Sequence, residues 1–344
     1  MFTPPFPSVT NCHKYGIPQG SHLGPILFII FINDIVNCIK NSDCWLFMDD
    51  LKFSNNIVTL HDSIKLQEDL DNVQIWCEIN GMVLNEDKCV MISFSRSIFP
   101  MIFNYSILGK NLTRVDKVKD LGVTFDSRLN FHDHMNNIIT RANRVWSFIW
   151  RNTKYFKNWK SVRILYLSLI RPILLYASPI WRPYTKNRFI QFEKIQHRVT
   201  RQLCFLSGNP MSRFDHEYRD RNKRFEMPKI QAMFEISDAI CLYKVMNSTI
   251  KCTELKQKFS LNLTRNVSLR TNVPFNLTKG NFNYIKNEPI NRLTTIGNQL
   301  VAKYQILYDF DIDVNVASRM IKNHFTKFQI IYIFLTTDFR YSIL

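Results

Sequence analysis

The strongest constraint on the fold is the spacing of apolar side chains in the middle of the chain. Over residues 135–149 they recur every three or four positions, and the same spacing returns over 188–203. This is the period of one helix face, so both segments are predicted to be amphipathic helices. Further helices are predicted from about Ser161 to Tyr176, with Pro172 bending or ending the helix, and over 232–245. The buried face of the helix over 188–203 is predicted to comprise Phe192, Ile195, Val199 and Leu203.

The first part of the chain has shorter elements. The apolar run over 44–48 is followed by Asp49-Asp50 and then by Leu51-Lys52-Phe53, which predicts two short strands with the acidic pair at the turn between them. Leu66, Leu70, Val73 and Cys77 then predict a helix, with Asp62 or Ser63 as its N-cap and Gly81 just beyond its end. Strands are predicted over 89–94, 105–108 and 120–125. Short strands followed by helices indicate an α+β fold.

Composition excludes several classes of protein. With 46% hydrophobic and 21% charged residues among 344, the chain has enough apolar surface to fold. The N-terminus has prolines where a signal peptide needs an apolar core. The longest apolar runs fall short of the ~20 residues of a spanning helix, so no membrane partner is expected. The eight cysteines include no CxxC pair, so we expect reduced thiols, no disulfides and no zinc site.

The positive charge is concentrated in one region. The net charge is +17, and residues 141–230 contain 20 basic and 5 acidic residues, whereas residues 1–140 are slightly acidic. Aromatic residues from Trp146 to Tyr184, Trp181 among them, are interleaved with these cations. Such a pattern favours nucleic-acid binding over a surface that serves only solubility. The cations predicted to face outward are Arg141, Arg144, Arg151, Lys154, Lys194, Arg198 and Arg201.

Two small groups of polar residues could bind metal ions. Two carboxylates at a turn suit Mg²⁺, which prefers oxygen ligands, but an isolated Asp-Asp dipeptide is more often a solvated turn. His132 and His134 could form a metal pair, although polar surface is the favoured interpretation. Neither pattern identifies a site by itself.

Longer motifs give the acidic pair a context. The chain resembles the reverse transcriptase of non-LTR retrotransposons, LINE-type elements of the Jockey-like group. The resemblance extends in order over nearly the whole chain and is carried by GIPQGSHLGPILFIIFINDI (16–35), LFMDDLKF (46–53), WCEINGMVLNEDKC (76–89), VKDLGVTFDSRLNFHDH (118–134), SLIRPILLYASPIW (168–181) and NEPINRL (287–293).

The resemblance implies a site and a set of partners. It implies that Asp49 is a metal-ligating aspartate, supported by Asp50, and that Gly16, Pro18, Gln19 and Gly20 form a loop beneath the nascent base pair. The implied cofactor is Mg²⁺, with Mn²⁺ as an alternative. The implied partners are an RNA template, a DNA primer and deoxynucleoside triphosphates, and the implied location is intracellular, in cytoplasm and nucleus.

The resemblance also implies an architecture. Residues 1–95 would form part of a right-hand polymerase palm, with short antiparallel strands and helices. Residues 96–206 would form a thumb and basic helical region, and residues 207–344 a C-terminal region, helical with an Asn/Thr/Ser-rich loop segment. The chain is therefore predicted to be the C-terminal portion of an RNA-directed DNA polymerase that transfers nucleotides by a two-metal reaction.

One departure from the family pattern bears on activity. The family requires another aspartate from a strand before the loop, and residues 1–15 contain no acidic residue. Little or no polymerase activity is therefore expected from this chain alone. The alternatives are a non-catalytic nucleic-acid-binding remnant and a decayed reading frame that does not fold stably.

Overall fold

The computed structural model describes residues 22–95, 97, 101–208, 218–259, 275–277 and 283–304. Two compact units divide the chain. The first comprises residues 1–119 with 125–129, and the second comprises residues 120–124 with 130–344. The predicted boundaries at 95/96 and 206/207 separate the palm, the thumb with the basic region, and the C-terminal region of a polymerase. The two compact units do not test these boundaries, which stay a prediction.

In its described residues, the first unit combines two α-helices with short strands. Its elements are α1 (Gly24–Ile32), which continues as a 3₁₀ helix over Asn33–Cys38, β1 (Asp43–Phe47), β2 (Asp50–Ser54), α2 (Leu60–Ile79), β3 (Val90–Met91), β4 (Ser106–Ile107), β5 (Lys110–Asn111) and β6 (Thr113–Arg114). Strands β1 and β2 are antiparallel, as are β4 and β5, whereas β3 pairs with β6 in parallel. A further hairpin, β7 (Lys117–Asp120) with β8 (Val123–Asp126), contains the first boundary between the units.

The second unit is helical. Its elements are α3 (His132–Thr153), α4 (Trp159–Leu165), α5 (Arg171–Leu175), α6 (Ser178–Trp181), α7 (Lys186–Leu206), α8 (Tyr218–Arg224), α9 (Ile230–Met246), α10 (Thr253–Gln257), α11 (Asn283–Lys286) and α12 (Pro289–Tyr304). The structure confirms an α+β fold and the predicted helices around 135–149, 188–203 and 232–245. None of the helices in the described part of the chain has the length and the apolar composition that spanning a lipid bilayer requires.

Helix α2 forms the core of the first unit. Val73, Trp76 and Cys77 pack there against Ile32 and Ile35. The helix begins one turn earlier than predicted, because Thr59 is its N-cap and Asp62 lies three residues inside it. The Asp62 carboxylate accepts hydrogen bonds from the backbone N–H groups of Thr59 and Val58, which lower the pKa of that carboxyl. The prediction of Asp62 or Ser63 as the N-cap is therefore wrong, and Asp62 instead completes a capping box.

Helix α1 is apolar along its whole length but buries little of it. Of its residues only Ile32 is fully buried, whereas Ile30 is 68% exposed. Several neighbours on the same helix, including Ile26, Leu27 and Phe31, are also largely exposed. Among the described residues, α1 therefore leaves most of its apolar side chains uncovered.

The helix predicted from about Ser161 to Tyr176 is interrupted. Helices α4 and α5 are joined by a π-helical turn over Tyr166–Ile170, immediately before α5 and Pro172. Proline has no N–H to donate and its ring collides with the carbonyl four residues earlier, so the backbone widens at this point. The backbone changes just before Pro172, and the helix ends at Leu175 rather than at the proline.

Large aromatic residues fill the core of the second unit. Trp146, Trp181, Tyr166 and Phe192 are almost fully buried, and the Trp181 and Phe192 rings stack with centroids 5.8 Å apart. The predicted apolar stripe of α7 is confirmed, because all four of its members are buried. Tyr176 joins this core to the turn between β7 and β8, where its hydroxyl donates to the Leu121 carbonyl at 2.8 Å.

A buried charge network connects α6, α9 and α12. Asp238 is fully buried, and its Oδ2 accepts hydrogen bonds from Arg182 Nη1 at 2.7 Å and from Arg292 Nε at 2.8 Å. Arg292 also donates to the carbonyl oxygens of Asn287 and Pro179. The NEPINRL segment is thereby attached to the SPIW segment by one guanidinium.

Removing the Asp238 charge should destabilise the second unit. Asp238→Asn leaves two partly buried guanidinium groups without their shared counter-ion, and breaking such a network costs about 3–5 kcal/mol of unfolding free energy. The matched control is Glu235→Gln on the same helix, whose carboxylate is partly solvated and lies 3.4 Å from Arg182; it should cost less than about 1 kcal/mol. Urea unfolding followed by far-UV circular dichroism measures both, and equal effects would contradict this interpretation.

Candidate functional site

The acidic pair lies at the turn of the first hairpin. Strands β1 and β2 pair in register from Asp43 opposite Ser54 to Phe47 opposite Asp50, so Met48 and Asp49 form the connection. Met48 has a φ of 55°, the left-handed conformation that a two-residue hairpin turn favours. The side chains of Asp49 and Asp50 are both exposed. The prediction of two short strands is confirmed, with Asp49 in the turn and Asp50 as the first residue of β2.

The start of this hairpin is fixed to α2 by a buried carboxylate. Asp69 is fully buried, and its two oxygens accept hydrogen bonds from the backbone N–H groups of Lys40 (2.9 Å) and Asn41 (3.0 Å). These bonds attach the segment before β1 to the middle of α2. The hairpin therefore extends from a defined point, which sequence reasoning did not identify because Asp69 is 28 or 29 positions away from its two partners.

The two carboxylates are suited in part to a divalent cation. No described residue forms a hydrogen bond or an ion pair with the Asp49 or Asp50 side chain, so their oxygens are available. Within the described ranges, however, no group of three His, Cys, Asp or Glu side chains could hold a metal ion. The turn thus offers hard oxygen ligands of the type that Mg²⁺ and Mn²⁺ accept, but only two residues of a coordination sphere. The predicted loop residues Gly16, Pro18, Gln19 and Gly20 lie outside the described residues.

The predicted basic residues of α3 form one exposed stripe. Arg141, Arg144 and Arg151 point outward, with the exposed Phe148 between them, and Lys154 follows at the C-terminal end of the helix. No described carboxylate is within 4 Å of these four cations. The stripe therefore presents its charge to solvent, as a surface for a polyanion would.

The predicted cations of α7 are also exposed. Lys194, Arg198 and Arg201 lie on the side of the helix away from its buried stripe. Arg198 Nη1 donates to Asn143 Oδ1 of α3 at 3.1 Å, so the two basic helices are hydrogen bonded through their exposed sides. Their charges thus belong to one surface of the second unit.

The aromatic residues of the basic region divide into two groups. Trp146 and Trp181 belong to the core and cannot stack on a ligand, which corrects the expectation that they contribute to nucleic-acid binding. Tyr155 is 83% exposed, and Phe156 and Tyr184 are about half exposed. The exposed three lie in connections between helices, whereas Trp146 and Trp181 lie on helices that pack in the core, and only the tertiary structure separates the two groups.

His134 is buried rather than part of a polar surface. It is 4% exposed and its ring lies edge-on to Trp181, with centroids 5.1 Å apart. Its Nδ1 accepts a hydrogen bond from the Thr124 N–H at 3.2 Å, while no described residue bonds its Nε2. Burial lowers its pKa to about 4. His132 is exposed, so the two histidines face different environments and do not form a metal pair.

Sequence reasoning missed a cleft beside α7. Glu193, His197 and Tyr218 line it, together with cations of α7 and the start of α9. The Tyr218 hydroxyl donates to Glu193 Oε2, and the His197 and Tyr218 rings stack with centroids 3.5 Å apart. Because α7 and α8 are separate helices, only their packing brings these three residues together. A signal did exist, since Glu193 is the one acidic residue among the cations of α7.

Comparison with known protein families places the hairpin in a matched segment. Residues 10–125 match the reverse transcriptase (RNA-dependent DNA polymerase) family. This segment includes residues 16–20, the hairpin with Asp49 and Asp50, and α2. No solved structure matches the chain.

Curated relatives extend the similarity into the second unit. The chain is 26% identical over 207 residues to the probable RNA-directed DNA polymerase from transposon BS of Drosophila melanogaster, covering 57% of this chain and 23% of that protein. It is 28% identical over 229 residues to the RNA-directed DNA polymerase from mobile element jockey of the same species, covering 62% and 24%. A jockey polymerase of Drosophila funebris is 29% identical, with 62% and 24% covered. The chain spans about a quarter of the length of these relatives.

Burial of His134 predicts a pH-dependent stability. The unfolded chain binds a proton at His134 below pH ~6.5, whereas the folded chain binds it only near pH 4, so stability is lost as the pH falls from about 6.5 to 4. The loss at this one site is on the order of 2 kcal/mol. Urea unfolding at pH 7 and pH 4.5 measures it. His134→Gln should reduce the difference, and His132→Gln, the exposed control, should leave it unchanged; the opposite ranking would refute the assignment.

Proposed function

We propose that this chain supplies two parts of a reverse transcriptase, because residues 10–125 match that family and the curated relatives are described as RNA-directed DNA polymerases of transposon BS and mobile element jockey. The first part is a pair of metal-binding carboxylates at the hairpin turn. The second is a basic helical surface that holds the nucleic acid. In the right-hand architecture, residues 1–95 belong to the palm, residues 96–206 to the thumb and basic region, and residues 207–344 to the C-terminal region.

Asp49 and Asp50 would hold the divalent cation, Mg²⁺ or Mn²⁺. When bound, the cations of a two-metal polymerase site activate the 3′-hydroxyl of the primer and neutralise charge on the leaving pyrophosphate. The contribution of this chain is to present two exposed oxygen ligands on a hairpin fixed through Asp69 to α2. Gly16, Pro18, Gln19 and Gly20 would lie beneath the nascent base pair and position the incoming deoxynucleoside triphosphate.

The basic surface would hold the RNA template and DNA primer. Arg141, Arg144, Arg151 and Lys154 on α3, with Lys194, Arg198 and Arg201 on α7, are exposed cations that can neutralise phosphates. Such interactions depend on charge and position rather than on sequence, as a polymerase that copies any template requires. Mg²⁺, the primer and the template would meet this protein inside the cell, in cytoplasm and nucleus.

The observation that carries the proposal is the position and exposure of the acidic pair at the hairpin turn. The acidic pair lies within the segment matched by the family, and both carboxylates are exposed without a described partner. A remnant that only binds nucleic acid would need the basic surface but not this turn. The relatives, all described as RNA-directed DNA polymerases, favour the polymerase fragment over that alternative.

Primer extension tests the role of the turn. Purified chain is given poly(rA)/oligo(dT), labelled dTTP and Mg²⁺ or Mn²⁺. We expect weak incorporation, because the turn supplies two carboxylates and the family resemblance implies a third from a preceding strand. Asp49→Asn should reduce incorporation to the background without protein. Asp43→Asn, an exposed carboxylate at the other end of β1, should not; incorporation that is equal in all three proteins, or absent from all, would remove the activity from this chain.

Binding of an RNA–DNA hybrid tests the basic surface separately. Reversing Arg141, Arg144 and Arg151 to Glu should weaken binding at every salt concentration. It should also reduce the slope of log K against log salt by roughly one for each phosphate that the variant no longer neutralises. Fluorescence anisotropy measures both quantities. The control reverses Lys244, Lys251 and Lys256, which changes the net charge equally outside this surface. A wild-type affinity that hardly depends on salt would contradict the proposed surface.

A further inference from the structure

A groove runs along one side of α7 in the second unit. It consists of two adjoining clefts of about 690 Å³ and 440 Å³, which share Ile190, Glu193 and His197. Residues 186, 190, 193, 197 and 201 are three or four positions apart, so they follow one another along the helix. The opposite wall is formed by Tyr218 of α8 and by residues at the start of α9. Each cleft has the volume of a small-molecule site.

The groove has a flat and partly apolar lining. Tyr184 is 45% exposed and Ile190 is 43% exposed, so both present apolar surface to a ligand in the groove. His197 stacks on Tyr218 at an interplanar angle of 17°, giving a double aromatic layer. Arg221 lies 3.1 Å from His197 Nδ1, and burial followed by the charge of Arg221 lowers the pKa of His197 to about 4. The imidazole is therefore a neutral aromatic surface at physiological pH.

The borders of the groove are positively charged. Lys186, Lys194, Arg198, Arg201 and Lys229 line it, and no described carboxylate forms an ion pair with any of the five. The one acidic residue in the groove is Glu193. Its Oε1 accepts a hydrogen bond from the Gln231 N–H at 3.0 Å and its Oε2 accepts one from the Tyr218 hydroxyl, so its oxygens are already engaged inside the protein. The groove therefore attracts anions along both of its borders.

We propose that this groove binds unpaired nucleotides of a single-stranded nucleic acid. Their bases would lie against Tyr184, Ile190 and the His197 ring, and their phosphates would contact the lysines and arginines of the borders. Stacking platforms flanked by cations are the usual way of binding single strands without sequence preference. A duplex could use the cations but not the lining, because its bases are already stacked on one another.

The inference rests on the proposed function, since both require a nucleic-acid-binding second unit and share Lys194, Arg198 and Arg201, but it specifies a different ligand and adds a lining that the basic surface lacks. The stripe of α3 would contact the phosphates of a duplex. The groove of α7 would hold a strand that is not paired, such as template beyond the primer. The two can therefore be tested on one protein with two ligands.

Fluorescence anisotropy with matched ligands provides the test. The ligands are a labelled oligouridine, an oligothymidine, an abasic strand of the same length and an RNA–DNA hybrid, all at one salt concentration. The groove variant is Tyr184→Ala with Ile190→Ala, and the control is Phe148→Ala, which removes an exposed apolar side chain from α3. The groove variant should bind the oligouridine about tenfold more weakly, the effect expected for removing a stacking platform, and keep its affinity for the hybrid. The control should keep its affinity for the oligouridine, and the abasic strand should bind wild type and groove variant alike.

A second measurement uses the unmodified chain, so that it does not depend on how the variant folds. A 4-thiouridine oligonucleotide is crosslinked by near-UV light and the attached peptides are identified by mass spectrometry. Crosslinks within residues 184–197 support the groove, and crosslinks confined to other regions overturn it.

The anisotropy experiment also compares two sugars. Equal affinity for oligouridine and oligothymidine would mean that the groove accepts both sugars, and tighter oligouridine binding would assign it to RNA.

The remaining outcomes separate the two proposals. If neither single strands nor the hybrid bind, the basic surface of the proposed function fails, and the groove with it. If the hybrid binds and the groove variant is weakened equally toward both ligands, or toward neither, the groove inference alone is wrong.

Discussion

The helical unit depends on one buried carboxylate. Asp238 lies on α9 with no exposure to solvent, and it is compatible with folding only because Arg182 and Arg292 bring two charged hydrogen bonds to its Oδ2. An isolated buried carboxylate would be strongly destabilising, so α6 and α12 must both pack where their arginines can reach it. The charges thus determine where these helices lie, while the apolar core supplies most of the free energy of burial.

The cations of the second unit are used in two different ways. Arg182, Arg292 and Arg171 lie inside, where acids or carbonyl oxygens accept their hydrogen bonds; Arg171 donates to the Pro228 carbonyl and the Gln196 side chain. The cations of α3 and of the α7 groove lie outside, without an acidic partner among the described residues. This separation explains how a region with 20 basic and 5 acidic residues can fold, and why so much positive charge remains for a polyanionic ligand.

Much of the fold could be predicted from local patterns. The helices over 135–149 and 188–203 and the hairpin around Asp49 follow from apolar spacing and from β-strand preferences of residues that are adjacent in sequence. Gly81, just beyond α2 with a φ of 67°, has the conformation expected after a helix end. The N-cap of α2 was predicted three residues too late because Thr59 and Asp62 are both good capping residues, and only the hydrogen bonds show that each fulfils one half of the motif.

The candidate site residues also divide into those that local sequence patterns predict and those that only the packing of the chain brings together. The sequence by itself determined the acidic pair, the direction of the basic side chains and the resemblance to reverse transcriptases, because each is encoded in neighbouring residues or in ordered motifs. Only the tertiary structure decided that Trp146, Trp181 and His134 are core, that Asp69 fixes the hairpin, and that Tyr184, His197 and Tyr218 share a groove. Burial and contact between distant residues depend on how helices pack. The spacing of apolar side chains, with its period of 3.6 residues, shows which face of a helix is apolar. It does not show which neighbouring element will cover that face.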